Sequence, residues 1–98
     1  MNDLNMLGLC RRAGKLSPGH DAVKMSIRSG RAKLILITSD ASDRLKKEIS
    51  NLAGDIKIIF LQENIEELSL FIGRKAAVLS VDDENFAKGI ISRLNQEE

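Results

Sequence analysis

The chain of 98 residues contains no tryptophan and no tyrosine, and only three phenylalanines. Base-stacking platforms are built from aromatic rings, so nucleic-acid binders of that design are disfavoured. Cysteine occurs once, at Cys10, which excludes an intramolecular disulfide and any CxxC motif. A lone thiol among apolar neighbours reads as a small core side chain. Histidine also occurs once, and His20 has no HxH or HExxH partner, so no metal or cofactor is expected. No apolar run reaches the roughly 18 residues of a membrane span. The first residues also lack the basic, apolar, small-residue order of a signal peptide. These absences lead to the expectation of a cytoplasmic protein without membrane contact.

The composition, 43% hydrophobic and 30% charged, is that of one small globular domain spanning residues 1–98. The formal net charge of +1 conceals an uneven distribution. Residues 1–33 carry seven basic groups against Asp3 and Asp21, a balance of +5, whereas residues 34–98 carry eight basic and twelve acidic groups, a balance of −4. A basic front end suits a polyanion-binding face. Solvated helix faces would produce the same count.

Apolar positions from Asp3 to Ala13 follow helical spacing, and Gly14 stops that helix. Ser17 and Pro18 read as the cap and first-turn proline of a second helix, ended by Gly30. The short apolar runs Ala32 to Thr38, Ile56 to Leu61 and Ala76 to Val81 predict three buried strands. Between and after them, helices are expected from about Ser42 to Leu52, from Asn64 to Gly73, and from a cap at Asp82 onward. This alternation predicts an α/β layer sandwich, a sheet covered on both faces. Ligands of such sheets tend to bind beyond the carboxyl ends of the strands, where Asp40, Glu63 and Asp82 are expected.

Enzyme chemistry finds no foothold. Cys10 and His20 are the one conceivable nucleophile–base pair, but Cys10 falls on the apolar side of its helix, where a thiol is inert. The run Asp82-Asp83-Glu84 is explained by the positive end of a helix without invoking a metal. The segment GKLSPGHDAVKMSIRSG (residues 14–30) raises the question of a nucleotide-binding P-loop. Gly14 and Gly19 have the right separation, but His20 and Asp21 stand where Lys and Ser/Thr are required. An aspartate there would repel phosphates.

The same segment suits a nucleic acid better. A helix beginning at Ser17-Pro18-Gly19 offers free N–H groups and partial positive charge to a phosphate, and Gly19 lets a backbone approach closely. Lys15 precedes this turn, while Lys24 and Arg28 lie four apart on one helical face. His20 and Asp21 at the tip are placed to meet base edges, an aspartate accepting from the amino groups of guanine or cytosine.

The run GKLSPGHDAVKMSIRSGRAKLILITSD resembles the opening of the ribosomal protein L7Ae and L30e families. Their pattern is a glycine-lysine-apolar strand, Gly-x-Asn-Glu-x-x-Lys opening a helix, then Arg-Gly-x-Ala-Lys and a strand ending in Ala-x-Asp. Matching it are Gly14-Lys15-Leu16, Gly19, Ser29 to Lys33, Leu34 to Ile37 and Asp40. A later Leu-Gly-x-x-x-Gly is echoed by Leu68 to Gly73. The resemblance covers nearly the whole chain, and the opening LGLCRRAGKL is most similar to short bacterial members.

It implies a three-layer α/β/α sandwich around a small mixed sheet. It also implies binding to kink-turns, sharply bent RNA elements with tandem sheared G·A pairs. Structured RNA, ribosomal RNA and the ribosome are the partners it suggests, with no small-molecule substrate. The recognition helix would begin at Gly19, with Asp21, Ala22 and Met25 at the family's Asn, Glu and Lys places. Ser39, Asp40 and Ser42 in one neighbouring loop, and Arg74 and Lys75 in another, would complete the RNA face. Ala22 removes a carboxylate that would accept from guanine, and Arg74 and Lys75 favour phosphate contacts. Two readings follow: a non-catalytic RNA-binding module, or a protein-interaction domain that kept the fold and presents an acidic surface near Glu63 and Glu67.

Overall fold

The computed structural model describes residues 4–95. Five helices and four strands follow one another: α1 (Asn5–Arg12), β1 (Leu16–Pro18), α2 (His20–Arg28), β2 (Leu34–Ile37), α3 (Asp43–Ala53), β3 (Lys57–Phe60), α4 (Ile65–Ile72), β4 (Val78–Val81) and α5 (Glu84–Asn95). The expected start of α1 at Asp3 lies outside the described residues. The strands form one sheet in the order β1-β4-β2-β3. β4 is antiparallel to both β1 and β2, and only β2 and β3 are parallel.

Alternation along the strands divides the interior into two cores. Leu34 and Leu36 of β2, with Leu79 and Val81 of β4, pack against Leu7 and Cys10 of α1, Leu68 and Ile72 of α4, and Ala87 and Ile90 of α5. Ile35 and Ile37 of β2, with Val78 of β4, face Val23 of α2 and Ile49 and Ala53 of α3. Successive strand side chains point to opposite faces, so both faces of β2 and β4 are buried under helices, apolar except for Ser80. The result is the expected three-layer α/β/α sandwich on a mixed sheet.

Three expectations required correction. β1 exists where Ser17 and Pro18 were read as a helix start. It is an edge strand of three residues, and an edge tolerates proline because no ladder N–H is needed on the open side. α2 is capped instead by Gly19. β3, expected to be buried, is the opposite edge of the sheet, leaving Lys57 and Phe60 exposed. Finally, Asp83 rather than Asp82 caps α5, its Oδ2 accepting from the Phe86 N–H at 2.9 Å. The caps at Ser42 and Asn64 stand as expected, and Asn64 forms a reciprocal capping box with Glu67.

Asp82 performs a different task. Its Oδ1 accepts from the hydroxyls of Ser26 (2.6 Å) and Ser80 (2.8 Å), and its Oδ2 from Ser17 (2.5 Å). One carboxylate thereby joins β1, α2 and β4. Ser26 and Ser80 are fully buried, so each hydroxyl requires a partner inside the fold. Cys10 donates its thiol to the Lys15 carbonyl at 3.0 Å. Burial first, then the negative charges of Asp82 and Asp83, push the Cys10 pKa up to about 11. A thiol held in that state is a core group, not a nucleophile.

Candidate nucleic-acid interface

Strand direction decides which loops meet. β1, β2 and β3 end, and β4 begins, at one end of the sheet, because β4 runs antiparallel to β1 and β2. Backbone hydrogen bonds tie the loops at this end together. The Gly19 N–H donates to the Val78 carbonyl (2.8 Å), Thr38 to Ala77 (2.9 Å), and Ser39 to Glu63 (2.9 Å). Asp40 and Glu63 are at this end, as expected for carboxyl-end loops. Asp82 follows β4 and lies at the other end, correcting its expected place beside them.

Gly19 is the pivot of the site. Its dihedrals, φ 97° and ψ 160°, fall in a region essentially reserved for glycine. This turn reverses the chain from β1 into α2, and no side chain caps the helix. The first-turn N–H groups of α2 therefore carry the positive end of the helix without an internal carboxylate or hydroxyl on them. A Cβ at Gly19 would meet no atom within 4 Å, so the constraint is conformational rather than steric. Gly19→Ala is expected to cost about 1–3 kcal/mol, read as a lower urea midpoint. Unchanged stability would show that the turn relaxes freely.

Around this turn lie three shallow depressions that share residues. The first is lined by Pro18 to Ala22 together with Arg74 from the α4–β4 loop. The second runs between α2 and α3 and is lined by His20, Ser42, Arg44, Leu45 and Glu48. The third follows the outer face of α2, lined by Asp21, Lys24, Met25, Arg28 and Ser29. The lining groups include four cations (Lys24, Arg28, Arg44, Arg74) and two carboxylates (Asp21, Glu48). Arg28 stands in the last turn of α2, and Asp40 and Glu63 add negative charge at this end of the sheet. Arg74 follows Gly73, whose left-handed backbone (φ 75°) ends α4. The Arg11 guanidinium lies 2.7 Å from where a Gly73 Cβ would be, but that flexible side-chain end can move aside, so glycine is favoured there by its backbone conformation.

The fold thus brings together Gly19, His20, Asp21, Lys24, Ser42 and Arg74, whereas Arg28 closes the last turn of α2, a helix length from Gly19. Ser39 and Asp40 share the same end but serve it internally. Asp40 Oδ1 accepts from the Ile65 N–H at 3.0 Å, bracing the start of α4. Lys75 turns to α4, where its ammonium is 2.6 Å from Glu66 and its pKa is raised by that hydrogen bond. Lys15 is separated from Gly19 by the length of β1, and its carbonyl accepts from the Asp82 N–H.

Arg44 and Glu48, on α3, went unrecognised in the sequence. They lie one helical turn apart, which marks a shared face, but nothing local says that this face borders α2. Glu48 takes a hydrogen bond from His20 Nε2 at 2.5 Å and faces Lys24 Nζ at 3.5 Å. The His20 bond, aided by the Lys24 charge, holds the Glu48 carboxyl below its usual range. Among the described residues, no group of three or more His, Cys, Asp or Glu is placed to hold a metal ion.

The three-layer sandwich thus places an uncapped helix start beside Arg44 and Arg74 at one end of the sheet, with Lys24 one turn into that helix. The chain belongs to the ribosomal protein L7Ae/L30e/S12e/Gadd45 family, whose pattern matches residues 4–91. It is 38% identical over 92 residues to the RNA-binding protein YlxQ of Bacillus subtilis (strain 168), covering 92% of each chain. To the RNA-binding protein YlxQ of Enterococcus faecium it is 31% identical over 86 residues, covering 87% of this chain and 84% of that one. Its fold matches a protein of unknown function from Bacillus halodurans C with a TM-score of 0.89 and 27% identity, covering 96% and 97% of the two chains. A 15.5kD RNA binding protein of Giardia lamblia shares the fold at a TM-score of 0.75 and 16% identity, with 95% and 84% covered.

Proposed function

We infer that this protein is a non-catalytic RNA-binding module that grips a structured RNA, a kink-turn or a similarly bent element, at the start of α2. The observation that carries the reading is the convergence of the uncapped α2 turn at Gly19 with Lys24, Arg44 and Arg74 at one sheet end. Family membership and two relatives named as RNA-binding proteins support it. Helix N–H groups and cations would hold phosphates and set the register. His20 and Asp21 would meet exposed base edges, Asp21 accepting from amino groups. Met25, exposed between Lys24 and Arg28, would offer an apolar contact to a sugar or base.

The test is binding to a kink-turn RNA and to the same RNA with its G·A pairs replaced by Watson–Crick pairs, at low and moderate salt. The expected result is salt-sensitive binding that weakens by at least about tenfold on replacement, the loss of one or more base-edge contacts. Equal affinity for both RNAs would remove kink-turn selectivity and leave a general RNA binder. No binding to either at low salt would overturn the RNA reading and favour a protein partner.

A further inference from the structure

Glu48 is the feature of this surface that a simple phosphate-binding patch does not need. It stands on α3, yet both of its carboxylate oxygens are directed at α2. Oε1 accepts from His20 Nε2 at 2.5 Å, and Oε2 faces Lys24 Nζ at 3.5 Å. His20 and Lys24 are one turn apart on α2, so a single carboxylate spans two of the groups nearest the open end of the helix. Ser42 and Arg44 line the same depression. The cluster is half open to solvent, with side-chain exposures of 42% for His20, 24% for Lys24 and 40% for Glu48. An incoming phosphate therefore has access to it.

We propose that Glu48 is a specificity-determining residue that occupies the imidazole and ammonium of α2 as an internal anion, so that a phosphate must displace it to bind. This rests on the RNA-binding reading and adds to it a mechanism for rejecting ordinary polyanions. A carboxylate with two oxygen acceptors is the side chain that most resembles a phosphate edge, and it meets the same donors. An RNA that offers phosphate alone gains Lys24 and His20 only by expelling Glu48, and gains little. An RNA that also presents base edges or shape complementarity can offset the exchange. In such a design, discrimination comes from repelling the wrong ligand as well as attracting the right one.

The geometry limits the cost of the device. The three groups are partly exposed, so the ion pairs contribute little to folding, and Glu48 can swing out without opening the core. Ile49, the neighbouring residue on α3, is fully buried and holds the helix in place. Glu48→Gln keeps the length and one acceptor for His20 while removing the charge, which separates electrostatic occupation from simple packing.

The experiment measures binding of three probes to the intact wild-type protein and to Glu48→Gln: inorganic tripolyphosphate, a plain RNA duplex, and a kink-turn RNA. Tripolyphosphate binding is followed by NMR at the His20 ring and the first-turn amides of α2. The variant is expected to bind tripolyphosphate and the duplex about five- to tenfold more tightly, and its duplex salt slope should steepen by about one phosphate contact. The preference for the kink-turn over the duplex should shrink correspondingly. Unchanged or weaker tripolyphosphate binding by Glu48→Gln overturns the proposal. Absence of RNA binding by the wild type, with tripolyphosphate still gaining in the variant, would instead strike the RNA reading and leave the internal anion standing.

Discussion

Replacing Asp82 with alanine is expected to destabilise the protein by about 3 kcal/mol, the cost of stranding hydroxyls that lose a charged partner. For a domain of this size that corresponds to a fall in Tm on the order of 15 °C. Three serines donate to this one carboxylate, and Ser26 and Ser80 are fully buried. Water cannot readily replace the lost acceptor for them. The effect should be larger than that of an ordinary surface carboxylate, which lies within about 0.5 kcal/mol of neutral. Asp82→Asn keeps a carbonyl acceptor for Ser26 and Ser80 and should lose about 1 kcal/mol. Urea unfolding of both variants is the measurement. Equal midpoints for Asp82→Ala and wild type would show that the serines find other partners and that the junction is not held by this residue. The consequence for the interface is positional. Gly19 pins the start of α2 to Val78, and Asp82 pins its far half through Ser26, so the orientation of the helix is set from both ends of the sheet.

The double substitution of Lys24 and Arg74 with alanine is expected to weaken RNA binding by about 30- to 100-fold at low salt and to lower the salt slope by about two. The two side chains approach the Gly19 turn from different elements, Lys24 from α2 and Arg74 from the α4–β4 loop. Loss of phosphate contacts should weaken all bound RNAs to a similar degree, because such contacts position without specifying sequence. Removal of Lys24 also leaves Glu48 with one cation fewer, which adds repulsion. Lys75 and Lys15 provide the comparison. Lys75 is occupied by Glu66, and Lys15 precedes β1 at the other end of the sheet, so alanine at either should change affinity by less than about twofold, within the range of exposed ion pairs. If Lys15→Ala weakened binding as much as Lys24→Ala, the contact surface would have to extend along β1, and the site drawn around α2 would be too small.

Much of this fold was legible because the determining interactions are local. β2 is apolar at every position and β4 at every position but Ser80, which suits a sheet covered on both sides. Ser42 and Asn64 announce their helices through partners three residues away, Leu45 and Glu67. The glycines at 30 and 73 end α2 and α4 by adopting a left-handed backbone. Cys10 was read as a core thiol from its place on an apolar helix face, and its burial and raised pKa agree. The L7Ae-type resemblance added what periodicity could not, namely that the sheet is mixed.

What remained hidden depends on strand order and direction. β1 is too short to show a period, and it is defined by pairing with β4 more than sixty residues later. Periodicity marked Ile56 to Leu61 as apolar but could not say that β3 would be an edge. Asp82 and Asp83 are chemically alike neighbours at a helix start. Only the packing of β1 and α2 against β4 gives one to three serines and leaves the other as the cap. The candidate interface follows the same division. Lys24 and Arg28 could be placed on one face from residues within one helix, because helical spacing is a local property, whereas the start of that helix at Gly19 came from the L7Ae-type resemblance. The inclusion of Arg44, Glu48 and Arg74, and the separation of Lys15 and Lys75 from them, were decided by tertiary structure, since only the direction of β4 and the packing of α3 beside α2 determine which distant side chains share one end of the sheet.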